Sequence, residues 1–256
     1  MAGRPPLAPN PAGAHFLRDS ALIGQLARAA GASNGRLVLD LGAGHGAITA
    51  RLAAGGARVI AVERDPRLAA RLRRRFDHDP RVRVVEADLR TVPLPRREFR
   101  VAASPPFSLT TALCRRLLGD PGLTLAGAEL VIGWGAARWL ASPRPRDVET
   151  AWWAARYQMR LARTVSAASF TPSPRADAAR LSVRPRPIVA SAQGQRRLQD
   201  LVRAAYRRPG ARADVVLPGR RRPLLRAGLD PRTPVAEVTA EQWHDLALLL
   251  ADGDRG

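Results

Sequence analysis

One stretch limits what this chain can fold into more than any other: residues 34–49, Asn-Gly-Arg-Leu-Val-Leu-Asp-Leu-Gly-Ala-Gly-His-Gly-Ala-Ile-Thr. Leu37 to Leu41 is a short apolar run bounded by Asn34-Gly35 and Gly42, the pattern of a buried parallel strand. Gly42, Gly44 and Gly46 alternate with Ala43 and His45 before a helical segment opens at Ala47. Glycines at that spacing let the backbone turn tightly and approach a ligand with no Cβ in between. The spacing is not Gly-x-Gly-x-x-Gly, which disfavours a dinucleotide pyrophosphate. No Gly-Lys-Ser/Thr follows, which argues against a phosphate-cradling loop. A strand-to-helix turn without any ligand is the plainer alternative for the glycines alone.

The chain around this stretch alternates strands and helices. An amphipathic helix precedes it, with Leu22, Ile23, Leu26, Ala27 and Ala30 on one face and Gly31 as its stop. Further strands are expected at Arg58–Val62, Val82–Glu86, Arg100–Ala103 and Glu129–Gly133, with helices from Pro66 and over 110–118, five β/α repeats in all. That order predicts an α/β, doubly wound Rossmann-like sheet with its ligand at the carboxyl ends of the strands. Strand-Asp-x-Gly-x-Gly-x-Gly-helix is also the pattern of enzymes that use S-adenosylmethionine (SAM). Arg156–Thr164 and Ala178–Val183 read as a closing antiparallel pair, and Arg184-Pro185-Arg186-Pro187 as a hinge. Beyond it come a helix near 193–208, an arginine/proline loop near 209–223 and a capped helix at 239–250. The expected division is a flexible tail over 1–13, a SAM-binding catalytic domain over 14–187 and a small helical domain over 188–256.

Composition narrows the partners. The formal charge is +20, and all 42 basic residues are arginine. A charge of that size calls for a polyanion, most simply a phosphate backbone. Cys114 is the sole cysteine, so no disulfide framework exists and a reducing, cytoplasmic setting is expected. No apolar run approaches about 18 residues, so no membrane span is expected. No metal site and a monomer are expected.

Three strand ends present chemistry in series. Glu63 closes the second strand of the repeat, where an acidic side chain reaches a ribose diol. Asp88, after the third, is placed to accept from an adenine amino group. Either carboxylate alone would more often be a solvated loop residue. Ser104-Pro105-Pro106-Phe107 follows the fourth strand. An exocyclic aromatic amine is a poor nucleophile because its lone pair is delocalised into the ring. Two acceptors for its N–H groups, here the Ser104 hydroxyl and the Pro105 carbonyl, favour a pyramidal nitrogen and free the lone pair. Phe107 offers a stacking surface. The plain alternative is a rigid Pro-Pro turn with a core Phe.

With these residues the chain resembles the Erm-type rRNA adenine N6-methyltransferases, related to the KsgA-like small-subunit rRNA dimethyltransferases. The resemblance runs over roughly 14–256. It rests on His15-Phe16-Leu17-Arg18-Asp19, the 40–49 stretch, Ala61-Val62-Glu63-Arg64-Asp65, Glu86-Ala87-Asp88, Ser104-Pro105-Pro106-Phe107 and Phe170-Thr171-Pro172-Ser173-Pro174. It implies that His15, Leu17, Gly42, Gly44, Glu63, Arg64, Asp88, Leu89 and Ser104 bind SAM. It further implies that Ser104, Pro105 and Phe107 engage the target adenine, with Phe170 packing on its other side, and it assigns RNA binding to the helical domain over 188–256. The family normally carries Asn where Ser104 stands and often Gln where Ala14 stands. The implied activity is methyl transfer to N6 of a flipped adenine in the peptidyl-transferase loop of 23S rRNA, giving macrolide, lincosamide and streptogramin B resistance. Two alternatives remain open: a KsgA-like 16S rRNA dimethyltransferase, or a non-catalytic RNA-binding factor on the same fold. Cys114, mid-helix after Leu113, reads as core filling rather than as a nucleophile.

Overall fold

The computed structural model describes residues 15–33, 35–187 and 192–252. The tail expected over 1–13, Ala14, and the first residues of the expected helical domain at 188–191 lie outside the described residues. In chain order the first half runs β1 (Phe16–Leu17), α1 (Ser20–Ala29), β2 (Leu37–Leu41), α2 (Ala47–Ala54), β3 (Arg58–Glu63), α3 (Pro66–Arg75), β4 (Val82–Glu86), β5 (Phe99–Ala103) and α4 (Thr110–Gly119). There follow β6 (Leu125–Gly133), α5 (Trp134–Leu140), α6 (Val148–Arg156), β7 (Tyr157–Val165), β8 (Phe170–Thr171) and β9 (Ala178–Pro185). The chain continues through α7 (Ala192–Tyr206), α8 (Ala213–Val216), α9 (Arg221–Arg226) and α10 (Ala240–Asp252).

The main sheet has seven strands in the order β4-β3-β2-β5-β6-β9-β7. β2 pairs in parallel with both β3 and β5, so the winding reverses between β2 and β5. Ligands of doubly wound sheets sit at that reversal, outside the carboxyl ends of the strands. The short strands β1 and β8 pair separately, Phe16 opposite Thr171 and Leu17 opposite Phe170.

Local signals explain the elements. All five residues of β2 are buried, as a central parallel strand covered on both faces requires. Asp19 caps α1 by accepting from the Leu22 N–H at 2.9 Å. Asp65 caps α3 by accepting from Arg67 and Leu68, with Pro66 in the first turn where its missing N–H costs nothing. All five expected strands and the helix over 110–118 form, and among the described residues β4 and β5 are joined without a helix. Pro93 and Pro95 each lack an N–H donor and cannot sit inside a helix. The expected arginine/proline loop near 209–223 contains the short helix α8 and leads into α9.

The chain divides into two compact units. The first comprises Met1–Leu113, Thr124–Ala137 and Leu161–Ser182; the second comprises Cys114–Leu123, Arg138–Arg160 and Val183–Gly256. In the first, Leu22, Ile23, Leu26 and Ala27 of α1 pack with Ile48 and Leu52 of α2 and with Val38 and Val131 of the sheet. In the second, Trp139 lies on α5 and Trp152 and Trp153 on α6, and Trp152, Trp153 and Trp243 are buried. Arg156, almost wholly buried, donates to the carbonyls of Leu118 (2.8 Å) and Asp120 (3.3 Å), while Trp152 donates to Gly119 (3.0 Å). These bonds satisfy carbonyls that the end of α4 would otherwise leave unpaired. The hinge expected at 184–187 is tied down within this unit: the Arg186 guanidinium forks onto Glu241 at 2.5 and 2.8 Å. Cys114 is buried, as core filling requires, and burial pushes its thiol up to about 12.

Glu129, fully buried on β6, accepts from Arg180 at 2.8 Å and Ser182 at 2.9 Å, both on β9. Removing one member of a buried pair leaves an uncompensated charge. Arg180→Met should therefore cost about 3–5 kcal/mol in urea unfolding. Combining it with Glu129→Gln should recover much of that loss; a cost below about 1 kcal/mol, the value of an exposed pair, would show that the charge is not buried as described.

Candidate active site

The glycine turn holds three consecutive alternate residues in the left-handed region, Gly42 at φ 84°, Gly44 at 55° and Gly46 at 77°. Side chains would also collide there: a Cβ on Gly44 would lie 2.9 Å from the Phe16 ring, and one on Gly46 2.6 Å from Leu72. Beside the turn opens a cavity of about 610 Å³, lined among others by His15, Phe16, Gly42, Gly44, Glu63 and Arg64. Asp88, Leu89, Ser104, Pro106, Ser108 and the first turn of α3 complete its wall. It occupies the winding reversal, since Gly42 follows β2 and Ser104 follows β5, and a Cβ on Gly42 would meet the Pro105 Cα at 3.5 Å. Most of the residues expected to bind a cofactor thus come together in one place.

Each carboxylate on the wall already has partners. Glu63 accepts from the Gly44 N–H at 2.8 Å and from the Asp65 N–H at 2.9 Å, so it fastens the glycine turn to the end of β3. An ionised carboxylate has about four lone-pair sites, which leaves room for a diol. Asp88 takes a bidentate fork from Arg90, with Nε at 3.0 Å and Nη2 at 2.6 Å, and accepts from the Arg90 backbone N–H at 2.8 Å. The Arg64 guanidinium stands 3.8 Å away. The Arg90 hydrogen bonds hold the Asp88 carboxyl down at about 2, so it faces the cavity as an anion with limited free capacity.

The Ser104 Oγ is buried and has no hydrogen-bond partner. A hydroxyl left in that state normally carries a cost of about 1–3 kcal/mol, so its position on a cavity wall marks a place where a ligand's polar group belongs. Pro105 is buried and does not line the cavity with its ring. Phe107 lies outside the cavity wall, half-buried, with its ring 5.8 Å from Phe170 in an edge-to-face contact and 5.7 Å from His15. Phe170 is 3% exposed and is likewise absent from the wall. The two phenylalanines therefore touch each other, rather than standing apart as the two jaws the sequence suggested. Leu17 is buried in the core, while its neighbour Phe16 lines the cavity. His15 donates Nδ1–H to the Pro172 carbonyl at 2.8 Å, which pins the N-terminal segment to the 170–174 loop.

Four contributors escaped the sequence reading. Phe16 covers the glycine turn and packs on His45, with ring centroids 4.3 Å apart. Arg75 donates to the His45 carbonyl at 2.6 Å and so holds the turn from the far end of α3. Arg90 is the partner of Asp88. Asp40, fully buried beneath the turn, accepts from the Thr49 hydroxyl at 2.7 Å, and its second oxygen has no partner. A hydroxyl nine residues away was a weak hint and Arg90 lies only two residues from Asp88, whereas the contacts of Phe16 and Arg75 depend on long-range packing.

Among the described residues no group of three or more His, Cys, Asp or Glu could hold a metal ion, and no helix is long and apolar enough to cross a membrane. A doubly wound sheet with a left-handed glycine turn after its central strand, and an acidic side chain closing the next, defines a Rossmann-like methyltransferase domain. The sequence model of the ribosomal RNA adenine dimethylases matches residues 10–252, and the chain belongs to that family. It is 33% identical over 262 residues to an rRNA adenine N-6-methyltransferase of Aeromicrobium erythreum, covering 95% of this chain and 74% of the relative. Mycinamicin-resistance protein MyrB of Micromonospora griseorubida is 32% identical over 249 residues, 94% of this chain and 78% of that protein. The crystal structure of the 23S rRNA methyltransferase ErmE is similar with a TM-score of 0.78 at 29% identity, covering 93% of this chain and 99% of ErmE. The chain spans about 61% of the length of the Bacillus relatives it matches.

Burial raises the Asp40 carboxyl to about 7, with the Thr49 hydrogen bonds offsetting part of the effect. The unfolded chain ionises this group near 3.8, so between about pH 4 and 7 the native state holds a proton that the unfolded state has lost. Stability should fall as pH rises through that window and level off above it. Asp40→Asn should flatten the slope. Urea unfolding of both proteins across the window tests this, and parallel profiles would place the pH dependence elsewhere.

Proposed function

We propose that this chain transfers a methyl group from SAM to N6 of a flipped adenine in the peptidyl-transferase loop of 23S rRNA, and that the modified base confers macrolide, lincosamide and streptogramin B resistance. The observation that carries this reading is the unpartnered, buried Ser104 hydroxyl on the wall of a cavity that also holds the glycine turn, Glu63 and Asp88. The relatives named for 23S rRNA methylation and for mycinamicin resistance support the choice of substrate and outcome. We place the protein in the cytoplasm as a monomer, with the helices after residue 187 gripping RNA.

The cavity suits SAM. Gly42 and Gly44 leave the backbone bare where an amino-acid moiety would lie, Glu63 has acceptor capacity for a ribose, and Asp88 for an adenine amino group. Leu89 supplies an apolar side to the base. When bound, SAM supplies a methyl on a sulfonium sulfur, an electrophile that needs no further activation. The chain's own residues act on the nucleophile. The Ser104 Oγ accepts one N–H of the target amine. The Pro105 carbonyl, which accepts no hydrogen bond among the described residues, takes the other. Both acceptors are held in place before the base arrives, and such preorganisation is what gives electrostatic stabilisation its size. Phe107 would stack on the base once its edge contact with Phe170 is exchanged for one with the adenine, as enzymes acting on extruded bases require. Arginine contacts to phosphate would position the RNA and add salt-dependent affinity.

Two measurements test the reading. Primer extension on rRNA from cells with and without the gene should reveal a stop in the peptidyl-transferase loop. A stop near the 3′ end of the small-subunit RNA would favour the KsgA-like alternative, and no stop at all would favour the non-catalytic one. In single-turnover methylation, Ser104→Ala should slow transfer roughly a hundredfold, about 3 kcal/mol, with SAM and RNA affinities nearly unchanged. Ser104→Asn should keep or raise the rate. A wild-type rate for Ser104→Ala would make Ser104 a turn residue only.

A further inference from the structure

α3 carries five arginines and no acidic residue, and the structure sorts them into two groups. Arg73 pairs with Glu86 on β4 at 3.0 Å, and Arg75 holds the glycine turn through the His45 carbonyl. The guanidinium groups of Arg67, Arg71 and Arg74 have neither a hydrogen bond nor an ion pair among the described residues. Their spacing, i, i+4 and i+7, puts them on one face, opposite the buried Ala69 and Leu72. All three are exposed. Of the nearby carboxylates, Asp65 caps the helix, Glu86 takes Arg73 and Asp79 takes Arg81, while Asp77, beyond the helix end, stands 4.0 Å from His78 and pairs with none of the three.

Like charges at these spacings destabilise a helix. A solvated face would gain from a Glu or Asp in one of these places, and the chain supplies none. The row also has a direction. Asp65, Pro66 and Leu68 line the proposed cofactor cavity, so the row starts at the cavity's rim and runs about 10 Å along the helix, at 1.5 Å per residue.

We propose that Arg67, Arg71 and Arg74 form a phosphate-binding row that holds the RNA backbone flanking the target base as it leaves the cavity. The proposal rests on the rRNA reading above and extends it to a surface outside the catalytic wall. A base presented to Ser104 must be attached to backbone passing the rim, and the other side of that rim is α3. Exposed guanidinium groups without internal partners release counterions from phosphate without first breaking a protein contact.

The test uses the full chain carrying Arg67→Gln, Arg71→Gln and Arg74→Gln together. Glutamine is a good helix former, and removing like charges should leave thermal stability equal or higher. A control with the same charge change, Arg36→Gln, Arg58→Gln and Arg97→Gln, sits at the opposite, amino-terminal ends of the strands. RNA affinity is measured against salt concentration with an rRNA fragment that the wild type methylates, alongside SAM binding by calorimetry. The α3 variant should lose about 2–3 from the slope of log K against log salt, at roughly 0.7–0.9 per phosphate contact. Its SAM affinity should stay at the wild-type value, and the control should lose less than half as much slope. An unchanged slope in the α3 variant, or an equal loss in the control, would overturn the row as a specific contact. If the wild type itself neither binds nor methylates the fragment, the rRNA reading fails rather than the row.

Discussion

The hydrogen bond from the Gly44 N–H to Glu63 is the contact on which the rest of the site depends. It ties a turn with three left-handed glycines to the end of the adjacent strand, beside the backbone bonds from Gly42 and Ala43 to the Val62 carbonyl. Asp40 and Thr49 brace the turn from below, Phe16 covers it, and Arg75 grips it from behind. A turn held from so many directions presents bare backbone at a fixed place. That is what a small ligand with a carboxylate, an amine and a nucleoside needs if it is to be oriented without first ordering the protein.

The same economy runs through the wall opposite. The winding reversal between β2 and β5 leaves a gap at the strand ends that no crossover helix fills. The two prolines after Ser104 stiffen the backbone on one side of this gap. A hydroxyl buried there with no partner is a poor contributor to folding, yet a well-placed acceptor for an amine. On the proposed function, the cost in stability and the catalytic opportunity have one cause, a polar atom withheld from water until substrate arrives.

Charge is handled differently in different places. Buried charges are paired or capped: Glu129 with Arg180, Arg156 with the carbonyls at the end of α4. Several exposed arginines, Arg67, Arg71 and Arg74 of α3 among them, have no side-chain partner among the described residues. The chain's surplus of +20 is therefore more than a property of its composition. Where arginines are needed for architecture they find oxygen within the protein, and the remainder face outward, available to phosphate.

The sequence by itself determined the strand–glycine–helix unit, because left-handed backbone and parallel burial leave marks that are local: alternating glycines and an unbroken apolar run. It also determined α1, with its apolar face and Asp19 cap, and the order of strand ends at Glu63, Asp88 and Ser104. The prolines at 93 and 95 were visible as well, and no helix was expected across them. What only the tertiary structure decided are contacts between residues far apart in sequence. Arg75 reaching His45, Phe16 lying over Gly44, the Phe107–Phe170 contact and the gathering of 114–123 and 138–160 with the C-terminal helices all belong here. No periodicity records them, since each depends on how two elements approach in space. An arginine in a run of arginines looks the same whether it binds a carbonyl or faces solvent; only the folded chain tells the two apart.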